Sequence, residues 1–326
     1  MSTLATMSTL STLPKDHSTL KHHRAAPHLA LVGVQIFFAT WPIVGKLTLR
    51  TLPPVALVGF RVAGATVVLI VLAQMTGNLS TIAAKDWPLL IVSGALGLVF
   101  NQWLFVKGLS LTTAINSTLL STSIPVSTLL VGMFLGTDRV TWRRMLGIGL
   151  AATGVLYLIG PTRGEFSHGT RVGDLLIVAN SLCYGAYIAV SKDLLRRYSA
   201  LTVITWIFII GSVATIPPGI VSLMQIDLRS VPLLVWIEVG YIILIPTAIT
   251  YYLNAWALAR VPPSTVAVYI YLQPLIAFVV APIILGEALG LRAVISTLLI
   301  FAGVFLVTRR SPAKQPAEAE ILERAL

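Results

Sequence analysis

Charge is scarce in this 326-residue chain: Asp, Glu, Lys and Arg together make up 11% of it. A water-soluble domain carries about 25%, because its surface must face solvent. So low a content predicts a surface that faces lipid. Cysteine is nearly absent too. Cys183 stands alone, which excludes an intrachain disulfide and a cysteine-based metal cluster; it lies in an apolar stretch and reads as a small packing residue. His17, His22, His23, His28 and His168 fall in the leader, at a span edge or in a loop, so no pair of histidines has metal spacing within a span. Phosphate-binding Walker loops and Gly-x-Ser-x-Gly elbows are missing as well. These absences argue against an enzyme and against a cofactor, metal or nucleotide. An ion or substrate gradient, or a partner chain, is left as the source of energy.

Apolar residues, by contrast, make up 56% of the chain, and its mean hydropathy is +0.88. At about 20 residues per crossing, that supply suffices for roughly nine to eleven transmembrane helices. We read spans at 29–49, 54–75, 88–109, 112–135, 144–160, 174–193, 202–224, 233–257, 264–285 and 291–308. The breaks carry turn residues, among them Pro53-Pro54, Gly77-Asn78, Gly136-Thr137-Asp138, Gly160-Pro161, Pro262-Pro263 and Gly286-Glu287. Residues 1–27, in which Ser-Thr-Leu occurs four times, read as a disordered cytoplasmic leader, and 309–326 as a cytoplasmic tail. The first apolar run is long enough to span and lacks a small-residue cleavage site, unlike a signal peptide.

The net charge of +11 raises nucleic acid as a partner, but the basic residues sit at helix ends and in short loops and form no continuous face. Their distribution instead orients the chain. With the N-terminus inside, fifteen of the 23 Lys and Arg residues fall on the inner side and six on the outer, leaving Lys46 and Arg61 within spans. Ten spans keep both termini in the cytoplasm and Arg309-Arg310 inside.

The two halves repeat at an offset near 149 residues. Gly108-Leu109 matches Ala257-Leu258, Pro125 matches Pro274, and Gly154-Val155 matches Gly303-Val304; earlier, Trp41 and Lys46 match Tyr187 and Lys192 at an offset of 146. Five spans per half is odd, so the copies enter the membrane from opposite sides. Inverted repeats of this kind build many secondary transporters.

The run from Ala257-Leu258 through Pro274 to Leu285-Gly286-Glu287 and Gly303 resembles the second repeat of the EamA family, within the drug/metabolite transporter superfamily. The first half agrees through Trp41, Lys46, Pro54, Arg61 and Ala63. It departs at Leu135-Gly136-Thr137-Asp138, where the carboxylate comes one place later than in the usual Leu-Gly-Glu. The resemblance covers about residues 30–308. It implies an all-α integral membrane fold of ten transmembrane helices, as two inverted five-helix repeats (28–160 and 174–308) around a central cavity.

Ionisable groups inside spans cost about 2.5–3.5 kcal/mol each at mid-membrane, which makes Glu238, Arg61 and Lys46 the first candidates. Glu238 lies on the stripe Glu238, Tyr241, Ile245, Ala248, Tyr252. It reads as a proton-coupling or substrate-amine site, or as an interfacial residue that reaches water or pairs with Arg61. Arg61 suits an ion pair, carbonyl capping or a substrate carboxylate; Lys46 can snorkel to the outer interface. Aromatic and amide groups supply the other candidate lining: Trp41, Asn101, Tyr184, Tyr187, Tyr252, Tyr269 and Gln273, with Asn180 beside Tyr184 on one helix face. Pro125 and Pro274 read either as hinges or as fixed kinks. Gly147, Ala151, Gly154 and Gly303 permit close helix approach, within the monomer or in a homodimer.

The reading favoured by the sequence is a secondary active exporter of small metabolites, such as amino acids or amphipathic drugs, in a bacterial-type inner membrane. Its partners are a small-molecule substrate and the bilayer. Proton antiport through Glu238 is the simplest coupling. An uptake carrier, a uniporter, a membrane-embedded enzyme and a non-transporting sensor are the competing readings.

Overall fold

A computed structural model describes residues 17–136, 141–159 and 168–308. These residues are helical, with no strand among them. In chain order the helices are α1 (His17–Thr48), α2 (Pro54–Met75), α3 (Ala84–Leu111), α4 (Ala114–Phe134), α5 (Trp142–Ile159), α6 (His168–Arg197), α7 (Ala200–Leu223), α8 (Leu233–Arg260), α9 (Pro263–Leu285) and α10 (Leu291–Thr308). Among the described residues, eight are long and apolar enough to cross a membrane, and Leu291–Leu306 in α10 is a shorter apolar stretch. The first turn of α5 is taken up by Arg143 and Arg144, which shortens its oily part.

The sequence dictates most of the boundaries. Pro54 sits at the first position of α2, where its missing N–H is not needed. Thr113 and Ser199 cap α4 and α7 through side-chain oxygens that accept from Asn116 N (3.0 Å) and Thr202 N (3.1 Å), each cap contributing about 1 kcal/mol. Gly77, Gly136 and Gly286 follow α2, α4 and α9 with positive φ, which glycine adopts without a Cβ clash. One boundary differs from expectation: α1 runs back through Pro27 to His17, so residues 17–27 belong to the first helix and not to the leader. Residues 1–16, Thr137-Asp138 and the tail from Arg309 lie outside the described residues.

Packing follows the repeat. Helix α1 lies along α8 and α9, and its counterpart α6 lies along α3 and α4; α2 packs on α7, and α5 on α10. Helices α2 and α7 run antiparallel. Near one end a Cβ placed on Gly59 would lie 2.9 Å from Gly219 Cα, while further along Thr66 and Ser212 hydroxyls meet at 2.8 Å. Helices α5 and α10 also cross antiparallel, with Gly154 against Ser296 and Ile300, and Gly303 against Gly147 and Ala151. The small residues thus form a seam within the chain. Helices α4 and α6 instead run parallel, because Asn116 meets Asp174, Leu120 meets Ser181, and Ser127 meets Gly185.

Four of the long helices are broken, in matched pairs. α3 and α8 each contain a π turn, Ala95–Val99 and Leu244–Ile249. In the second, Pro246 cannot donate to the Ile242 carbonyl, and the Thr247 hydroxyl bonds it instead at 2.6 Å. α4 and α9 each divide in two, Ala114–Ser121 from Ile124–Phe134 and Pro263–Tyr269 from Leu272–Leu285. Tight i to i−3 bonds bridge these gaps, Ser123 N to Leu120 O (3.1 Å) and Tyr271 N to Val268 O (3.3 Å). Pro125 and Pro274 lie in the first turn of each second segment.

Close backbone approach at Gly59 yields a test. Gly59→Leu should destabilise the protein by about 1–3 kcal/mol, because the side chain has no room between α2 and α7. Gly33→Ala, where a Cβ meets nothing within 4 Å, serves as the control. Thermal unfolding in detergent should fall for the first and hold for the second; equal midpoints would refute the tight crossing.

Candidate functional site

The breaks surround a central cavity of about 60 Å³. Groups from both halves line it. α1 supplies Gln35, Phe38 and Trp41; α2 supplies Arg61; α3 supplies Asn101, Gln102 and Phe105; α4 supplies Ser121 and Ile124. From the second half come Asn180 and Tyr184 of α6, Tyr251 and Asn254 of α8, and Ile270 and Gln273 of α9. Ser121 and Ile124 flank the break in α4, while Ile270 and Gln273 stand at the break in α9, so both discontinuities open onto the cavity wall.

Arg61 is the one formally charged residue among the described lining residues, and it is 1% exposed. Its Nε donates to Thr247 Oγ1 (2.5 Å), Nη1 to Gln102 Oε1 (2.6 Å) and Nη2 to the Pro246 carbonyl (3.3 Å). A guanidinium has five N–H donors, and these bonds use three. Its carbon centre lies 4.0 Å from the centroid of the Trp41 ring, which attracts a desolvated cation by roughly 2 kcal/mol or more. Among the described residues no carboxylate pairs with it.

An amide and phenol network continues from Arg61. Gln102 Nε2 donates to Tyr251 Oη (2.6 Å), and Tyr251 Oη donates to Asn101 Oδ1 (3.0 Å). Asn180 Nδ2 donates to the Asn101 carbonyl (2.7 Å), Asn254 Nδ2 to Tyr184 Oη (3.0 Å), and Gln273 Nε2 to Gln35 Oε1 (2.5 Å). Gln102 and Tyr251 are 149 residues apart, the repeat offset, and each follows the π turn of its helix. Phe38 meets Tyr184 and Tyr251 edge-on, and Phe105 stacks on Trp41 at 5.8 Å. The result is an aromatic box with neutral hydrogen-bonding groups and one cation.

Of the residues singled out from sequence, Trp41, Arg61, Asn101, Tyr184 and Gln273 come together on this wall. Tyr187 is buried behind Tyr184, where its ring packs over Gly97 of α3. Tyr269 closes the first segment of α9; it is off the wall, and its hydroxyl meets His28 Nδ1 at 2.8 Å. Tyr252 is half-buried and off the wall. Glu238 is half-buried near the end of α1, where it accepts from Thr48 Oγ1 at 3.0 Å; it neither lines the cavity nor pairs with Arg61. Nor is it alone as a buried acid: Asp174 is 2% exposed and Asp86 3%. Lys46 does not snorkel outward but donates to the carbonyls of Leu109 (2.9 Å) and Thr112. Lys192 makes the matching pair of bonds to Leu258 and Val261.

The sequence reading passed over Tyr251, Asn254 and Gln35. Tyr251 follows the π turn, which adds a residue to α8 and shifts the register of its faces. An unbroken 3.6-residue stripe from Glu238 lands on Tyr252. The pairing of Gln102 with Tyr251 at the repeat offset is the signal that could have found both.

Comparison with known proteins agrees with this architecture. The model of the EamA-like transporter family matches residues 26–160 and again 171–309. A probable terminal-alkyne amino-acid exporter of Streptantibioticus cattleyicolor is 31% identical, over 79% of this chain and 87% of its own length. The uncharacterized transporter YyaM of Bacillus subtilis is 23% identical over 89% of this chain and 98% of its own. A crystal structure 18% identical in sequence superposes with a TM-score of 0.64, over 92% of this chain and 99% of that one, and so shares the fold. This chain is a multi-pass membrane protein and belongs to the EamA-like transporter family.

Proposed function

We propose that the protein is a secondary active exporter of small metabolites, amino acids foremost, working by alternating access in a bacterial-type inner membrane with both termini inside. The observation that carries this reading is the cavity itself: it lies where the two halves meet, and both contribute to its wall. The antiparallel crossings of α2 on α7 and α5 on α10 support two inverted five-helix halves, 28–160 and 174–308. This reading takes ten crossings. The parallel course of α4 and α6 supports α5 as the segment that crosses back between them, and α10 is taken as the tenth.

In this reading the Arg61 guanidinium meets a substrate carboxylate with its remaining N–H groups. Amide oxygens of Asn101, Gln102 and Gln273 and the faces of Trp41 and Tyr184 receive an ammonium group and an apolar body. A space of about 60 Å³ holds only a few waters, well below the roughly 300–1,000 Å³ of small-molecule sites. The conformation described here is a constricted one, and substrate entry requires the cavity to widen. The breaks at Pro125 and Pro274 border the wall that must move and serve as hinges. The relative in Streptantibioticus cattleyicolor, named as a probable amino-acid exporter, supports amino acids as the first class to test.

Counterflow in proteoliposomes tests transport: labelled amino acid should accumulate when unlabelled amino acid fills the lumen, and a full panel without exchange defeats the proposal. Arg61→Lys keeps the charge but loses the planar fork. It should raise KM for exchange more than tenfold in protein that stays monodisperse; a variant that aggregates, or exchanges normally, marks Arg61 as structural. Proton coupling through Glu238 is tested separately. Glu238→Gln should retain counterflow and lose stimulation by a pH gradient, and an unaltered gradient response removes Glu238 from the coupling path.

A further inference from the structure

The turn that joins α3 to α4 collects charge from three distant parts of the chain. From α1, Lys46 Nζ donates to the carbonyls of Leu109 (2.9 Å) and Thr112. From α6, the buried Asp174 carboxylate accepts from Thr112 Oγ1 (2.5 Å) and Asn116 Nδ2 (3.4 Å). From the loop after α9, the two oxygens of Glu287 accept from the backbone amides of Ala114 (2.7 Å) and Ile115 (2.9 Å). The cation sits on the last carbonyls of one helix and the anion on the first amides of the next, so each charge opposes the helix-end partial charge it meets. All eight residues of Ala114–Ser121 are buried, and the last of them, Ser121, is in the cavity wall.

The turn from α8 to α9 stands 149 residues later and is held differently. Among the described residues it keeps one of the three contacts, Lys192 on the carbonyls of Leu258 and Val261. Pro263 occupies the place of Ala114 and has no amide to offer a carboxylate. His28, 146 residues before Asp174, reaches Tyr269 further along α9 and not the turn. The half-helix on this side is looser: Val268 is 37% exposed, whereas the matching Leu119 is 0% exposed.

We propose that Lys46, Asp174 and Glu287 are positioning residues for transport: together they clamp Ala114–Ser121 over the cavity and make this end the tighter of two gates. The proposal rests on the alternating-access reading above. With the N-terminus inside, the clamp lies on the outer face, across the exit path of an exported substrate. Opening it means parting carboxylates from amide and hydroxyl donors, and among the described residues no carboxylate holds the α8–α9 end.

Accessibility of an engineered thiol reads the gate without any substrate. In a Cys183→Ser background, Ser117→Cys places a thiol on the clamped half-helix at a position 0% exposed, and Ala65→Cys places one at an equally buried position on α2. The purified full chain is labelled with a polar maleimide in detergent. Adding Glu287→Gln or Asp174→Asn should raise the rate at residue 117 more than tenfold and leave that at residue 65 within twofold. An unchanged rate at 117 overturns the clamp, as does an equal rise at both sites, which marks the contacts as general structural glue. Failure here with intact counterflow leaves the transport reading standing; faster labelling without any counterflow supports the clamp and defeats the transport reading.

Discussion

A helix that breaks inside lipid leaves backbone groups that no water can satisfy, and every such group must find a partner within the protein. The architecture described here turns on how those partners are supplied. Lys46 and Lys192 cover the last carbonyls of α3 and α8. Thr247 takes the carbonyl that Pro246 leaves without a donor, and Arg61 in turn donates to Thr247 and to the Pro246 carbonyl. Glu287 covers the first amides of α4. Charged residues that look too costly for a membrane span are thus spent on the chain's own discontinuities. Because several of the discontinuities border the cavity, the bonds that allow broken helices also set its shape.

Much of this was legible in the sequence, for a definable reason. Span positions follow from apolar run length, and α2 begins and ends where Pro53-Pro54 and Gly77 place it. The repeat was visible because its Pro, Gly and Lys positions are rarer than the leucines between them. The pair Lys46 and Lys192, matched by offset alone, make matching bonds in space. What was not legible comes from local departures from regular geometry. No periodicity announces a π turn, so Tyr251 was missed in favour of Tyr252. Asp174 fell at the first residue of an expected span and drew no attention, although α6 extends back to His168 and buries it. Tyr187 was assigned to the wall because it shares a helix face with Asn180 and Tyr184; the absence of a side chain at Gly97 lets it pack away from the cavity instead.

Arg61 illustrates how one residue can hold the fold together and still face a cavity. Removing a guanidinium from water costs several kcal/mol even after relaxation. The three neutral acceptors and the Trp41 ring offset that cost, yet no opposite charge is present among the described lining residues. A cation held by dipoles alone keeps a field directed at the cavity. An organic cation entering there meets repulsion in a medium of low dielectric, while a carboxylate supplies the missing counter-charge. In the proposed reading, a preference for carboxylate-bearing substrates rests on what the protein omits near Arg61 as much as on what it provides.

Among the described residues the two halves share a backbone plan but not its fastenings, and in the proposed mechanism that inequality bears on the direction of transport. Perfect symmetry would give the two end states equal energy and equal population. A hydrogen bond to a charged group contributes about 1.5–3 kcal/mol, and every 1.4 kcal/mol is a tenfold change in an equilibrium. Among the described residues the α3–α4 end has two additional charged fastenings, which in the proposed mechanism would bias the resting protein toward closure there by about 100-fold or more. A ligand can reverse such a bias only by binding the other state better. In the orientation proposed here, the empty protein rests with its looser gate toward the cytoplasm, where an exporter must collect its cargo, and the outer gate opens when a bound substrate or proton stabilises the alternative.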